Sequence, residues 1–376
     1  MTSNAASPIA VARTQQHPTL DPAGLGSIPG LPFVPDTILR RHRAFIPTDN
    51  RFRAAARLLQ ALWREDRNLP IGGIHPGREG KSRRLGSSIA MSAGMTGANF
   101  IHPAIARLAK REMIYREAGA AYDDIRLWTN LLSSQPLVFN LFAPLKLHLP
   151  TATAVFEALA PGFMPEVTEI LFEHSPGRGD LRFSGDGTAF DLLVRGFGPA
   201  RQRRFIAIEV KYSESGQEPL PRFSGRYDEI APSSGLFIDA AAPALRANPA
   251  QQLFRQMCLA HTMIETGLYD EGLHLFIAPG LNAPAQNVAT SFVRHLASPQ
   301  DGKLPFMALT LERLIEVLAD VGTPGHARAL HRRYCDWWLI DGELQLEEPS
   351  GCDSEGFMKS AFVYAGKSGA EDAEAA

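Results

Sequence analysis

Apolar and polar positions alternate with a period of two in several short runs between residues 169 and 214. In RFIAIEVKY, Ile206, Ile208 and Val210 alternate with Ala207, Glu209 and Lys211. This pattern predicts a strand that buries one face and sends Glu209 and Lys211 out together on the other. Upstream, TAFDLLV predicts a second strand, with Phe190, Leu192 and Val194 on one face and Asp191 on the opposite one. A basic turn from Gly196 to Arg204 would let the two pair antiparallel and set Asp191 beside Glu209. EILFEHS, before them, and LHLFIAP, after them, read as further strands, the latter buried.

Helical periodicity brackets these runs. DNRFRAAARLLQALWREDRN predicts a helix that ends at Leu69-Pro70, and His102 to Ala118 predicts an amphipathic one. LWTNLLSSQPLVFNLFAPLKLHLP reads as a buried helical segment interrupted by Pro136, and Thr151 to Leu159 as a short helix. Asn248, Pro249 and Gln251 form a helix start, with Asn248 as the cap and Leu253, Met257, Ala260 and Ile264 as the apolar stripe. Thr310 to Gly322 and Ala327 to Leu339 are also helical in pattern. Ser213 to Ser234 reads as an irregular excursion, a lid or substrate loop containing Arg222, Arg226 and Tyr227.

The order helix, strand, strand, strand, helix, strand defines an α/β fold with a mixed sheet flanked by helices. The expected division is a flexible tail at 1–37, a helical region at 38–124, the core at 125–280, a helical extension at 281–350 and a flexible acidic tail at 351–376.

Composition changes this picture little. The 376 residues are 45% hydrophobic and 21% charged with a formal net charge of −2, so any nucleic-acid affinity must come from local patches. Three dispersed cysteines, Cys258, Cys335 and Cys352, argue against a disulfide framework or a zinc site. No basic segment leads into an apolar run at the start and no run of 18 apolar residues occurs, so no membrane association and a cytoplasmic protein are expected.

The chemistry carried by Asp191, Glu209 and Lys211 is that of phosphodiester hydrolysis. One or two carboxylates hold Mg²⁺, and a lysine supplies a compact positive charge for the developing oxyanion. Glu79-Gly80-Lys81 and Asp301-Gly302-Lys303 repeat the acid-x-lysine spacing in glycine-containing, loop-like sequence. The alternative for Glu209 and Lys211 is a solvated strand face without chemistry. Gly80-Lys81-Ser82 lacks a phosphate-binding loop's first glycine, since His75 stands in that place. A carboxylate-pair hydrolase acting on a glycoside fits the adjacent lysine less well than phosphate does.

The strand order, with Asp191 on the second strand and Glu209-Val210-Lys211 on the third, resembles the PD-(D/E)XK nuclease superfamily. Ser133-Ser134-Gln135 followed by Phe139-Asn140-Leu141-Phe142, then Phe172-Glu173-His174, Thr188-Ala189-Phe190-Asp191 and Lys211-Tyr212-Ser213-Glu214, look like a bacterial restriction-endonuclease-like group within it. The resemblance spans about residues 125–280. It implies a metal-dependent endodeoxyribonuclease with Mg²⁺, or alternatively Mn²⁺, acting on DNA, with RNA left open and a homodimer as one arrangement. It implies Asp191 and Glu209 as metal ligands, Lys211 as the catalytic lysine, and Glu173 as an additional acidic ligand. Gln252 matches a glutamine that many members place near the active site, and Gln135 stands where members often supply a glutamate. Phe190 stands where many have proline, and Glu157 lies only on the following segment, so one metal or two stays open. Arg201, Arg203, Arg204, Arg222 and Arg226 are the expected substrate-binding groups. The reading from a different class is a catalytically silent nuclease fold kept as a nucleic-acid or protein interaction module.

Overall fold

The structure, a computed structural model, describes residues 30–75, 83–217, 223–297 and 304–344. Glu79-Gly80-Lys81, Asp301-Gly302-Lys303, Arg222 and most of the two expected tails lie outside the described residues. β1 (Ile74–His75) and β2 (Arg83–Arg84) form a short antiparallel ladder by themselves. The main sheet holds β3 (Glu166–His174), β4 (Phe190–Phe197), β5 (Arg203–Val210), β6 (Glu271–Ala278) and β7 (Phe306–Thr310) in that spatial order. β3 pairs with β4 and β4 with β5 antiparallel, whereas β5 pairs with β6 and β6 with β7 parallel.

Among the described residues, seven helices precede the main sheet: α1 (Asp36–Arg41), α2 (Arg51–Asp66), α3 (Met91–Thr96), α4 (Pro103–Ile114), α5 (Asp124–Thr129), α6 (Ser134–Leu147) and α7 (Leu149–Leu159). Between β5 and β6 lie α8 (Arg226–Ser234) and α9 (Gln251–Glu265), and α10 (Ala283–Val293) links β6 to β7. After β7 come α11 (Leu311–Asp320), α12 (Pro324–Tyr334) and α13 (Trp338–Leu344). This is the restriction-endonuclease-like α/β arrangement expected from the strand order.

β5 is the central strand, and both of its faces are covered. Ile206, Ile208 and Val210 join one core with helices from both ends of the chain, while Phe205 and Ala207 join a second core with Leu253, Met257 and Ala260 of α9. The expected exposed face for Glu209 and Lys211 is therefore corrected: they are only 2% and 8% exposed. Parallel pairing to β6 requires a crossover connection, and that crossover carries α9, which packs with this face of the sheet. Phe190 is also corrected, since it packs with the α9 core while Leu192 and Val194 face the other.

Other departures have local causes. Pro136 lies in the first turn of α6, where a missing N–H costs nothing, and so does not interrupt the helix. The excursion from Ser213 to Ser234 ends in α8, whose Tyr227, Ile230 and Ala231 are buried against the α9 core. α9 begins at Gln251 with Ala250 at its N-cap position, so Asn248 is not its cap. The edge strand β7 falls in the segment expected to be a purely helical extension, because its five partly exposed residues lack a run of alternation long enough to read.

Both flanking helical segments share the core with the sheet. The fully buried Arg333 of α12 donates to the backbone oxygen of Asn99 at 2.6 Å and to its Oδ1 at 2.5 Å, and stacks 4.2 Å from the Trp63 ring of α2. Burial lowers the Arg333 pKa, and among the described residues neutral acceptors and aromatic faces replace its hydration. Asn99→Ala deletes one charge-assisted acceptor in a dry site and is expected to lower unfolding stability by about 2–3 kcal/mol. Denaturant titration measures this, and an unchanged midpoint would show that Arg333 does not tie the two segments together.

Candidate active site

The β4–β5 ladder pairs Leu192 with Ile208, so Asp191 and Glu209 occupy the next step, at the end of the strands away from their hairpin. Asp191 Oδ2 accepts the N–H of Val210 at 2.8 Å. The N–H of Lys211 donates to Ile277 O at 2.8 Å and extends the pairing to β6 past the last strand residue. Lys211 Nζ lies 2.8 Å from Glu209 Oε1. The three residues named from the sequence thus cluster at one end of β4 and β5.

The first turns of α9 complete the cluster. Gln252 donates its amide to Glu209 Oε1 at 2.7 Å and accepts from Lys211 Nζ at 2.6 Å. One turn later, Gln256 donates to Glu209 Oε2 at 2.6 Å and to Ala189 O at 2.9 Å. The i, i+4 spacing puts both amides on one helix face, so a buried carboxylate has donors at both of its oxygens.

Burial pushes the Asp191 carboxyl well above the ordinary range, and the neighbouring Glu209 charge adds to this against the opposing pull of Lys211 and the Val210 N–H. Burial likewise raises Glu173, with a smaller contribution from Glu209. Glu214 goes the other way: burial would raise it, but Lys211 and the N–H groups of Tyr212 and Ser134 outweigh that and hold it low. Its carboxylate accepts from Ser134 N at 3.1 Å and Tyr212 N at 2.8 Å. The Ser133-Ser134-Gln135 segment is thereby tied to the chain just beyond Lys211 through Ser134.

Several expected residues are not brought to this cluster. Gln135 bonds the loop backbone instead, donating to Ala121 O at 3.1 Å and accepting from Asp123 N at 3.4 Å. Glu173 ends β3 with its carboxylate on the Ala121 N–H at 3.3 Å and 4.0 Å from Arg178. Arg201, Arg203 and Arg204, expected as substrate-binding groups, lie away from the cluster. They sit at the hairpin end of β4 and β5, with Arg203 about 20 Å along the strand from Glu209, and are paired with Glu166, Asp270 and Glu271 respectively. Arg226, on α8, pairs with Glu229 at 2.5 Å. Gln256 and Glu214 are the residues that sequence reasoning missed. The Gln252-to-Gln256 spacing of one helical turn was the available signal for the first.

Asp191 and Glu209 fit a hard divalent cation, which takes one or two carboxylates and completes its shell with water and phosphate. A buried acid whose pKa is pushed up by burial and by a second carboxylate is the electrostatic situation that a bound cation relieves. Among the described residues no group of three or more His, Cys, Asp or Glu is arranged to hold a metal.

A mixed sheet with Asp191 and Glu209-x-Lys211 at one end of adjacent strands defines the class. The profile of the PD-(D/E)XK nuclease superfamily matches residues 47–336, more than half of the chain, and the chain belongs to that superfamily. The match runs from just before α2 to just beyond α12 and so takes in both flanking helical segments. No curated protein and no solved structure matches the chain. No helix among the described residues is long and apolar enough to cross a membrane.

The raised Asp191 pKa has a sign that stability measurements read. Below the unfolded value of about 3.9 the group is protonated in both states, and as pH rises toward the folded pKa only the unfolded state gains by ionising. In the absence of metal, Asp191→Asn should therefore stabilise the protein relative to wild type at pH 8 and have a much smaller effect near pH 4. Thermal unfolding in chelator at the two pH values checks this, and an equal effect at both would contradict the assignment.

Proposed function

We propose that this protein is a metal-dependent nuclease that hydrolyses phosphodiester bonds in DNA. The observation that carries the reading is the Lys211 ammonium 2.8 Å from Glu209 on the central strand, with Asp191 one ladder step away. In this reading Asp191 and Glu209 hold Mg²⁺, or Mn²⁺ in its place. The bound cation supplies Lewis acidity and lowers the pKa of a coordinated water. Lys211 neutralises charge that grows on the phosphate, where a fixed cation counts for more than in water. Gln252 accepts from the Lys211 ammonium and donates to Glu209, and so fixes the separation of the two.

Contacts to the nucleic-acid backbone are assigned to the site end of the sheet. Arg53 of α2 reaches Ser213 O at 3.3 Å, and Arg126 of α5 lies 3.5 Å from Glu214. Their side chains are 39% and 46% exposed. Both approach the chain two or three residues after Lys211, whereas the arginines of the hairpin lie at the other end of β4 and β5. The helical region ahead of the sheet thereby acquires a role in positioning substrate.

Lys211→Ala is expected to reduce Mg²⁺-dependent cleavage by about 10²–10³-fold or more while leaving DNA affinity in Ca²⁺ nearly unchanged. The double change of Arg53 and Arg126 to Ala should weaken binding to all sequences and flatten the dependence of log affinity on log salt by about 1–2 units. Cleavage time courses and binding titrations on duplex DNA, single-stranded DNA and RNA test both. Equal cutting by wild type and Lys211→Ala would place the active site elsewhere. Wild type that binds nucleic acid but cuts none in Mg²⁺ or Mn²⁺ would establish a silent binding module, and preferential cutting of RNA would replace DNA as the substrate.

A further inference from the structure

β6 carries a histidine where its neighbours are all apolar. His274 is fully buried among Leu273, Leu275, Phe276 and Ile277, with its ring stacked on Phe306 at 5.6 Å and edge-on to Phe190 at 6.2 Å. A phenylalanine would satisfy such packing, so the imidazole nitrogens require a separate reason. Nδ1 is buried with no hydrogen-bond partner among the described residues, and Nε2 lies 3.3 Å from Gln256 Oε1.

The surroundings decide both orientations. The Gln256 amide nitrogen meets two acceptors, Glu209 Oε2 and Ala189 O. A flipped amide would set its oxygen against both, so Nε2 of the glutamine must face Glu209 and its Oε1 must face the histidine. The imidazole then has to present a donor. Burial depresses the His274 pKa to about 3, which keeps the ring neutral, so its single proton belongs on Nε2 and the partnerless Nδ1 is a bare lone pair.

We infer that His274 is a positioning residue, which holds the Gln256 amide in the one orientation that presents donors to Glu209. The inference rests on the nuclease reading for its functional consequence. The hydrogen bonds run from His274 through Gln256 to Glu209, and from there to Lys211 and Gln252, so β6 helps set the carboxylate on β5 through a side chain of α9. Without the imidazole donor, the buried Gln256 carbonyl loses its partner, and the position of the amide against the carboxylate is less tightly fixed. Partners one shell removed from a metal ligand typically contribute about 10–100-fold in metal affinity or activity.

Three variants separate this role from packing. His274→Phe keeps a ring against Phe306 and removes the donor, His274→Gln restores a donor on a shorter frame, and Gln256→Glu keeps the shape but replaces donors with an acceptor. Long-range ¹H–¹⁵N NMR of the wild-type imidazole should show Nε2 protonated and Nδ1 bare. Calorimetry with Mn²⁺ alone should show affinity reduced about 10–100-fold in His274→Phe and Gln256→Glu and largely recovered in His274→Gln. In cleavage of duplex DNA, kcat should fall in the same two variants with KM little changed. An Nδ1-protonated tautomer, or a folded His274→Phe protein with wild-type Mn²⁺ affinity and kcat, would overturn the positioning role. Wild type that neither binds Mn²⁺ nor cleaves nucleic acid would instead overturn the nuclease reading, so the two failures are distinguishable.

Discussion

A carboxylate that is 2% exposed at the centre of a five-stranded sheet is the constraint on which the rest of the site depends. An isolated ionised acid there would cost far more than the fold's net stability, so Glu209 needs close partners on its own face. Lys211 supplies one from the same strand, two residues on. Gln252 and Gln256 supply the others from α9, which must therefore lie across this face in one register. The apolar side chains of α9 meet the same requirement from below, since Leu253, Met257 and Ala260 pack with Phe205 and Ala207. Asp191 then adds a second buried carboxyl, whose raised pKa records the tension left in the cluster. A site so nearly closed by its own hydrogen bonds has charge to offer a cation and little freedom to misplace it.

The flanking helices are bound to that centre by polar contacts as well as by apolar packing. Glu214 joins the start of α6 to the end of β5, and Tyr212 lies in one core with Tyr334 of α12, their rings 5.1 Å apart and edge-on. Gln60 of α2 donates both to the Tyr212 hydroxyl at 3.0 Å and to Arg333 O at 2.7 Å. The segments before and after the sheet thus meet behind the strand that carries Glu209 and Lys211. That is the physical counterpart of a family match extending from residue 47 to 336.

Period-two alternation made β4 and β5 legible in the sequence, and with them the convergence of Asp191, Glu209 and Lys211. Gln252 was implied by the family resemblance, which matches it to a glutamine on the helix after the third strand. What alternation could not tell was that the second face of β5 is also buried, because Ala207, Glu209 and Lys211 look like a solvated face until α9 is placed upon it. Gln256 and His274 were hidden for the same reason: each reads as an ordinary residue of a helix or buried strand, and only their meeting in space reveals a pair. The basic hairpin shows the converse, since Arg201, Arg203 and Arg204 are near Glu209 in sequence yet lie at the far end of the strand. Gln135 was placed at the site by its neighbours in the motif, but Ser134, one position earlier, is the residue whose backbone reaches it.

The central claim is that Asp191 and Glu209 jointly hold a divalent cation beside Lys211. Crystals grown with Mn²⁺ and measured for its anomalous scattering test it most directly. The account predicts a peak between the Asp191 and Glu209 carboxylates, about 2.0–2.2 Å from an oxygen of each, at the edge of the Lys211 ammonium. Well-ordered crystals with no peak there, or with the only peak at another cluster of acids, would contradict it.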